Sequence, residues 1–213
     1  MKDIRGIIFD LDGTLLDSMG VWSQIDVDFL AKRGLELPED YQRIITPLGA
    51  KEAADYTIRR FGLPDTPEML MEEWLSMAHE EYSKRIPLKP YALEYVKKLH
   101  REGKRMAIAT SSDRYLVLPA LERTGLLPMM DAVITTADVK RGKGFPDIYE
   151  KAAADLGLEA SGCAVFEDII EGIRGAKAGG FLAVGVYEKQ NEESYGLIRE
   201  EADVYIHSFK ELL

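Results

Sequence analysis

Short apolar runs alternate with amphipathic segments along most of the chain. Apolar runs of this length, bounded by turn residues, are typical of buried strands in a parallel sheet. The predicted strands are 6–9, 106–109, 132–134, 163–166, 182–186 and 204–206. Helical spacing of apolar positions predicts helices over 91–101, 114–123, 147–156, 172–178 and 192–199. This alternation of strands and helices predicts an α/β fold with a doubly wound, mostly parallel sheet.

One long interval, between the first and second predicted strands, breaks this alternation. Its patterns are helical and are punctuated by glycine and proline. Because a connection of this length requires structure of its own, we expect an inserted helical domain. The predicted boundaries are 17–88 for this helical insert, with 1–16 and 89–213 forming the α/β core. The side chains expected to lie mostly in the core of the insert are those of Trp22, Trp74, Met69, Met71 and Met77.

Composition narrows the class of protein. Hydrophobic residues make up 46% and charged residues 30% of the 213 positions, as in an ordinary globular protein. The formal net charge of −10 disfavours binding to nucleic acid or to an anionic membrane. The single cysteine, Cys163, excludes a disulfide within the chain and is expected in the core.

The expected location is cytoplasmic. The first residues contain too short an apolar stretch for a signal peptide, and no run approaches the roughly 18 apolar residues of a spanning helix. The oligomeric state is left open, and the composition is compatible with a monomer.

Acidic residues follow two of the predicted strands. In open α/β sheets, ligands bind beyond the carboxyl ends of the strands. Asp10 and Asp12 follow the first strand, and Glu167 and Asp168 follow the fourth. Carboxylate oxygens are suitable ligands for Mg²⁺. A solvated acidic turn is the alternative for the first pair, and capping of the next helix is the alternative for the second.

Two other strand ends carry groups that could bind an anion. Thr110, Ser111 and Ser112 follow the second strand, where hydroxyl and N–H groups at the start of a helix can bind phosphate. Lys143 lies in a basic, glycine-containing loop after the third strand and could offset phosphate charge. The alternatives are a simple helix cap and a solvated loop. Together, the four strand ends favour phosphoryl transfer with a carboxylate nucleophile and a metal.

These motifs resemble those of the haloacid dehalogenase superfamily, in the branch with a helical cap inserted after the first motif. FDLDGT resembles the first family motif, IATSS the second, Lys143 the third, and the acid pair in VFED the fourth. Gly144 and Ile169 stand where the family often has proline and serine.

The resemblance implies specific roles for these residues. Asp10 would be the nucleophile, and Asp12 the general acid and base. Thr110, Ser111 and Lys143 would hold the phosphoryl group. Mg²⁺ would be held by Asp10, the carbonyl of Asp12, and Asp168, with Glu167 in support. Lys51 is a candidate substrate contact from the cap.

The expected function is Mg²⁺-dependent hydrolysis of a small phosphorylated metabolite, in particular a sugar phosphate, through an aspartyl-phosphate. A sugar phosphomutase similar to β-phosphoglucomutase is the first alternative. Its cap histidine would fall at Trp22, which cannot exchange protons as imidazole does. A phosphate-accepting signalling domain is the second alternative, although such domains are shorter and lack the large insert.

Overall fold

The computed structural model describes residues 3–45 and 48–213 and divides the chain into two compact units. Met1–Met19 and Ile86–Leu213 form the first unit, and Gly20–Arg85 form the second. The expected domain boundaries of 17 and 88 lie just outside those of the second unit. Each unit has its own helices and its own buried residues, and each is described separately below.

A six-stranded sheet is the centre of the first unit. Its strands are β1 (Gly6–Phe9), β2 (Arg105–Thr110), β3 (Ala132–Thr135), β4 (Cys163–Glu167), β5 (Leu182–Val186) and β6 (Val204–Ile206). The strand order is β3-β2-β1-β4-β5-β6, and every neighbouring pair is parallel. All six predicted strands are present, and the predicted fold class is confirmed.

Helices cover the sheet. They are α5 (Ala92–Arg101), α6 (Arg114–Arg123), α7 (Asp147–Asp155), α8 (Ile170–Ala178) and α9 (Tyr195–Glu201). Ile8 and Val165 lie in the core cluster that also holds buried residues of α7 and α8. Phe9 and Phe166 instead contact Tyr95 of α5, and Cys163 is buried as expected. The central strands are therefore apolar on both faces, which is why they appear in the sequence as uninterrupted apolar runs.

The second unit is built from the helices α1 (Val21–Ala31), α2 (Tyr41–Ile45), α3 (Ala50–Phe61) and α4 (Pro67–Lys84). The hydroxyl of Thr66 caps α4, and the ring of Phe29 packs edge-on against buried Trp74. The expected core positions of Trp22 and Met69 are wrong. These side chains are 47% and 56% exposed, because each lies in the first turn of its helix. Within 3–45 and 48–213, no helix is long and apolar enough to cross a membrane.

Candidate active site

Strand pairing brings the acids of β1 and β4 together. Phe9 and Phe166 are partners in the parallel register, and the Asp10 backbone N–H continues the ladder by donating to the Phe166 carbonyl at 2.9 Å. The next residue of each strand is an acid, Asp10 on one and Glu167 on the other. Because parallel strands end at the same edge of the sheet, the carboxylates of Asp10 and Glu167 lie close together.

Lys143 lies between these two carboxylates. Its Nζ forms an ion pair with Asp10 Oδ1 and another with Glu167 Oε1, the latter at 2.7 Å. All three side chains are buried. The Tyr149 hydroxyl also donates to Glu167 Oε1, at 2.8 Å. The structure therefore places Lys143, which is flanked by Gly142 and Gly144, beside the acids of β1 and β4.

The acids fit a divalent cation. Oxygens of Asp10, Glu167 and Asp168 lie within 4.8 Å of one another, and all three residues are buried. Among the residues that the structure describes, Glu167 Oε2 is buried without a hydrogen-bond partner, which is costly unless a cation contacts it. Three carboxylates against one ammonium leave two negative charges, which Mg²⁺ would neutralise. The chemistry of the site thus fits the expected metal.

Burial controls the protonation of these groups. It raises the pKa of Glu167 to about 7, with Lys143 opposing the rise and Asp10 adding to it. Burial, followed by the charges of Asp10 and Glu167, also raises the pKa of Asp168 well above its usual range. Burial by itself would lower the pKa of Lys143, but the Asp10 and Glu167 carboxylates raise it overall. The lysine therefore remains an ammonium, while the crowded acids favour any added positive charge.

Asp12 lies outside the three-acid cluster, and its carboxylate is held by hydroxyls. Ser18 Oγ donates to Asp12 Oδ1, and Ser112 Oγ donates to Asp12 Oδ2, each at 2.6 Å. Gly13 makes the turn that follows, with φ of +80°, and a side chain there would collide with the Asp168 carboxylate. The side chain of Asp12 is thereby oriented separately from that of Asp10.

The second predicted motif lies at the end of β2. Thr110 is buried, and its Oγ1 accepts a hydrogen bond from the Ser112 N–H at 3.1 Å. Ser111 between them is exposed. The following helix begins after Asp113, whose carboxylate caps it by accepting from the Tyr115 N–H at 2.7 Å. Asp113 therefore caps this helix, and the hydroxyls of residues 110–112 are not needed as a cap.

Two glycines of α8 make room for the site, and sequence reasoning assigned no role to either. A Cβ on Gly172 would lie 2.5 Å from Glu167 Oε2. A Cβ on Gly175 would overlap the Lys143 carbonyl and lie 2.9 Å from that of Phe145. The spacing of two glycines within an amphipathic helix was the available indication of close approach.

Lys51 is not part of this cluster. It belongs to α3 of the helical unit, where its side chain is 69% exposed and pairs with Glu68 at 3.7 Å. Its role in substrate binding stays a prediction.

The class of protein follows from the fold and these acids. A parallel α/β sheet whose first strand ends in a buried aspartate, with a helical unit inserted after it, is the architecture of haloacid dehalogenase-like hydrolases. The model of that family matches residues 4–180, so the chain belongs to it. The resemblance noted from the sequence is confirmed.

Curated relatives support the expected class of reaction. Validoxylamine A 7′-phosphate phosphatase of Streptomyces hygroscopicus subsp. limoneus is 29% identical over 205 residues, covering 96% of this chain and 94% of that protein. Hexitol phosphatase A of Escherichia coli is 28% identical over 210 residues, covering 98% and 93%. Both are named as phosphatases, in agreement with the expected enzyme class.

Solved structures share the fold. A Thermotoga maritima protein provisionally assigned as a β-phosphoglucomutase has a TM-score of 0.85 at 24% identity, covering 95% of this chain and 94% of that one. CbbY from Rhodobacter sphaeroides, solved in complex with phosphate, has a TM-score of 0.76 at 24% identity, covering 98% and 96%. At these identities the similarity shows the fold alone.

Proposed function

We propose that the protein is a Mg²⁺-dependent phosphatase that hydrolyses a small sugar phosphate through an aspartyl-phosphate on Asp10. The observation that carries this proposal is the buried Asp10 carboxylate, paired with Lys143 and grouped with Glu167 and Asp168. A carboxylate so placed is a suitable nucleophile, and the charges around it suit a phosphoryl group accompanied by a divalent cation.

In the first step, a carboxylate oxygen of Asp10 attacks phosphorus and the ester bond to the leaving oxygen breaks. Asp12 gives its proton to that oxygen, so the product leaves as a neutral alcohol. Lys143, the Thr110 hydroxyl and the Ser111 N–H offset the charge of the transferring group. Bound Mg²⁺, held by Asp10, the Asp12 carbonyl, Asp168 and Glu167, would supply further neutralisation of phosphoryl and carboxylate charge.

In the second step, the Asp12 carboxylate takes a proton from water as the water oxygen attacks phosphorus. The bond between phosphorus and Asp10 breaks, which releases inorganic phosphate and restores the Asp10 carboxylate. Ser18 and Ser112 each hold one oxygen of Asp12 in the structure. These contacts limit its rotation, which favours the same carboxyl group serving both proton transfers.

The proposed substrate class follows from the relatives. Their names refer to validoxylamine A 7′-phosphate and to hexitols, which are hydroxyl-rich compounds. We propose a sugar phosphate for this chain, with residues 17–88 acting as the cap and Lys51 contacting the substrate. The signalling-domain alternative has no support, because the chain belongs to a hydrolase family.

The test is a screen of sugar and polyol phosphates, with Mg²⁺ and with excess chelator, using wild type and Asp10→Asn. We expect catalytic phosphate release that requires Mg²⁺ and is abolished in Asp10→Asn, because an amide cannot form the acyl-phosphate. Asp17→Asn is the matched control, since Asp17 is an exposed aspartate of the same segment. Undiminished release by Asp10→Asn, or full activity in chelator, would contradict the nucleophile or the metal respectively.

A further inference from the structure

The segment after β5 reaches the acid cluster, although no strand-end motif pointed to it. Asn191 lies in the short 3₁₀ helix Lys189–Ser194 and is partly buried. Its Nδ2 donates to Asp168 Oδ2 at 2.6 Å and to the Asp168 backbone carbonyl at 3.1 Å. The other carboxylate oxygen, Asp168 Oδ1, accepts from Thr14 Oγ1 at 3.2 Å. Both oxygens of Asp168 therefore have a neutral donor, and the shorter contact is that of Asn191.

This segment is itself anchored to the core. Glu188 is buried, and its Oε1 accepts from the Gln190 N–H at 3.1 Å while its Oε2 pairs with Lys89 Nζ at 2.7 Å. Lys89 Nζ also donates to the carbonyls of Tyr187 at 2.7 Å and Gly13 at 2.5 Å. The anchor thus joins the turn that carries Asn191 to the loop that follows Asp10.

A buried carboxylate among other carboxylates needs such support. Repulsion from Asp10 and Glu167 favours rotation of the Asp168 side chain out of the cluster. The Asn191 amide donates both to Asp168 Oδ2 and to the Asp168 carbonyl, so it fixes the Asp168 side chain relative to its own backbone. A neutral amide does so without adding a charge that would compete with a divalent cation.

We propose that Asn191 is a positioning residue, which holds Asp168 in the orientation that binds Mg²⁺. This inference rests on the proposed function, since it concerns the same metal site. A purely structural role for Asn191 would stabilise the 3₁₀ turn and leave the affinity for Mg²⁺ unchanged. The two roles therefore differ in a measurable quantity.

The experiment is calorimetric titration of Mg²⁺ into metal-free wild type, Asn191→Leu, Asn191→Ala and the control Glu192→Gln. Leucine preserves most of the volume and removes the donor, and alanine provides a second donor-free variant should leucine impair folding. Glu192 is an exposed neighbour on the same turn. We expect the Mg²⁺ dissociation constant to rise about 10–100-fold in both Asn191 variants, as is usual when a partner of a metal ligand is lost.

Steady-state kinetics separate the roles further. We expect the Mg²⁺ concentration for half-maximal activity to rise in parallel with the dissociation constant, while kcat at saturating Mg²⁺ stays near that of wild type. Unchanged Mg²⁺ affinity in both Asn191 variants would overturn the inference and leave the proposed function intact. Absence of Mg²⁺ binding to wild type would instead overturn the metal assignment, and the inference with it.

Discussion

The Glu167 carboxylate lies against the α-carbon of Gly172, at a separation that leaves no space for a side chain. A Cβ at position 172 would lie 2.5 Å from Glu167 Oε2, well inside van der Waals contact. Because Glu167 is fully buried and paired with Lys143, it cannot turn aside without losing that pair. The close approach of α8 to β4 is therefore a requirement of the acid cluster.

We predict that Gly172→Ala destabilises the fold and weakens Mg²⁺ binding. Overpacking of a buried site costs about 1–3 kcal/mol, which exceeds the gain of roughly 1 kcal/mol from helix propensity. The control is Gly196→Ala on α9, where the added methyl meets open space. Denaturant unfolding and Mg²⁺ titration measure the two effects. Equal stability and equal Mg²⁺ affinity in the two variants would contradict the prediction, because they would show that α8 can shift to accommodate the added methyl group.

The second prediction concerns pH and metal removal. Burial raises the pKa of Glu167 from its ordinary 4.5 to about 7, so the metal-free folded state binds more protons than the unfolded state within that window. The unfolding free energy of metal-free protein therefore falls as pH rises from about 4.5 to 7. Mg²⁺ binds the ionised carboxylates, so it should stabilise strongly at pH 8 and little at pH 5.

Thermal unfolding at pH 5 and pH 8, measured with chelator and with Mg²⁺, tests the predicted direction of this pH dependence. At a hundred times its dissociation constant, Mg²⁺ adds about 2.7 kcal/mol, or about 5–10 °C in Tm for a chain of this size. Glu167→Gln is the control, because its amide does not titrate, so the pH dependence should become smaller and retain only the part that comes from the other buried acids, such as Asp168, whose pKa is also raised. Equal stabilisation by Mg²⁺ at pH 5 and pH 8 in wild type would contradict the assignment.

The third prediction distinguishes the proposed role of Asp12 as general acid from that of Asp10 as nucleophile. Asp12→Asn should retain substrate binding and lose about 10²–10⁴-fold in turnover of a sugar phosphate, because the leaving alkoxide needs a proton. p-Nitrophenolate leaves without protonation, so the phosphorylation step with p-nitrophenyl phosphate should suffer less. Single-turnover assays on both substrates measure that step. Equal losses on the two substrates would assign Asp12 a role other than general acid.

The fourth prediction concerns Lys51. If this lysine contacts the substrate, Lys51→Ala should raise KM for the true substrate several-fold and leave that for p-nitrophenyl phosphate nearly unchanged. Lys84→Ala is the matched control, since Lys84 is also an exposed lysine of the helical unit paired with a glutamate, at 3.4 Å. Equal effects of the two variants on KM would identify Lys51 as a surface charge only.

The strands and the central acids could be predicted because both depend on local sequence. A strand buried on both faces appears as an uninterrupted apolar run, and an acid directly after it must lie at the ligand-binding edge. Parallel pairing of β1 with β4 then places Asp10 beside Glu167. The position of these residues in the sequence was therefore enough to predict where they lie in the fold.

The supporting contacts could not be predicted in this way. Tyr149, Ser18 and Asn191 reach the acids through hydrogen bonds that depend on how distant segments pack. Their neighbours in sequence carry no distinguishing pattern. Trp22 illustrates the opposite error, because it was expected in the core of the insert, while its place in the first turn of α1 leaves it half exposed.

The last prediction is hydrolysis rather than phosphomutase activity. A mutase must protect its aspartyl-phosphate from water until a sugar hydroxyl arrives, so proton transfer by Asp12 has to depend on the sugar being bound. In mutases of this family, the resemblance implies a cap histidine at the position of Trp22. Indole cannot exchange protons as imidazole does. The three histidines lie elsewhere, as His79 on α4, His100 on α5 and His207 after β6.

With no imidazole at position 22, nothing in the sequence of α1 links sugar binding to the protonation of Asp12, and water should reach the aspartyl-phosphate first. The assay supplies β-glucose 1-phosphate with a trace of the 1,6-bisphosphate and follows both products. We expect free phosphate to form faster than glucose 6-phosphate. Trp22→His is the informative variant, because restoring the imidazole should raise the share of glucose 6-phosphate if this position controls the partition. Faster formation of glucose 6-phosphate by the wild type would make the protein a mutase.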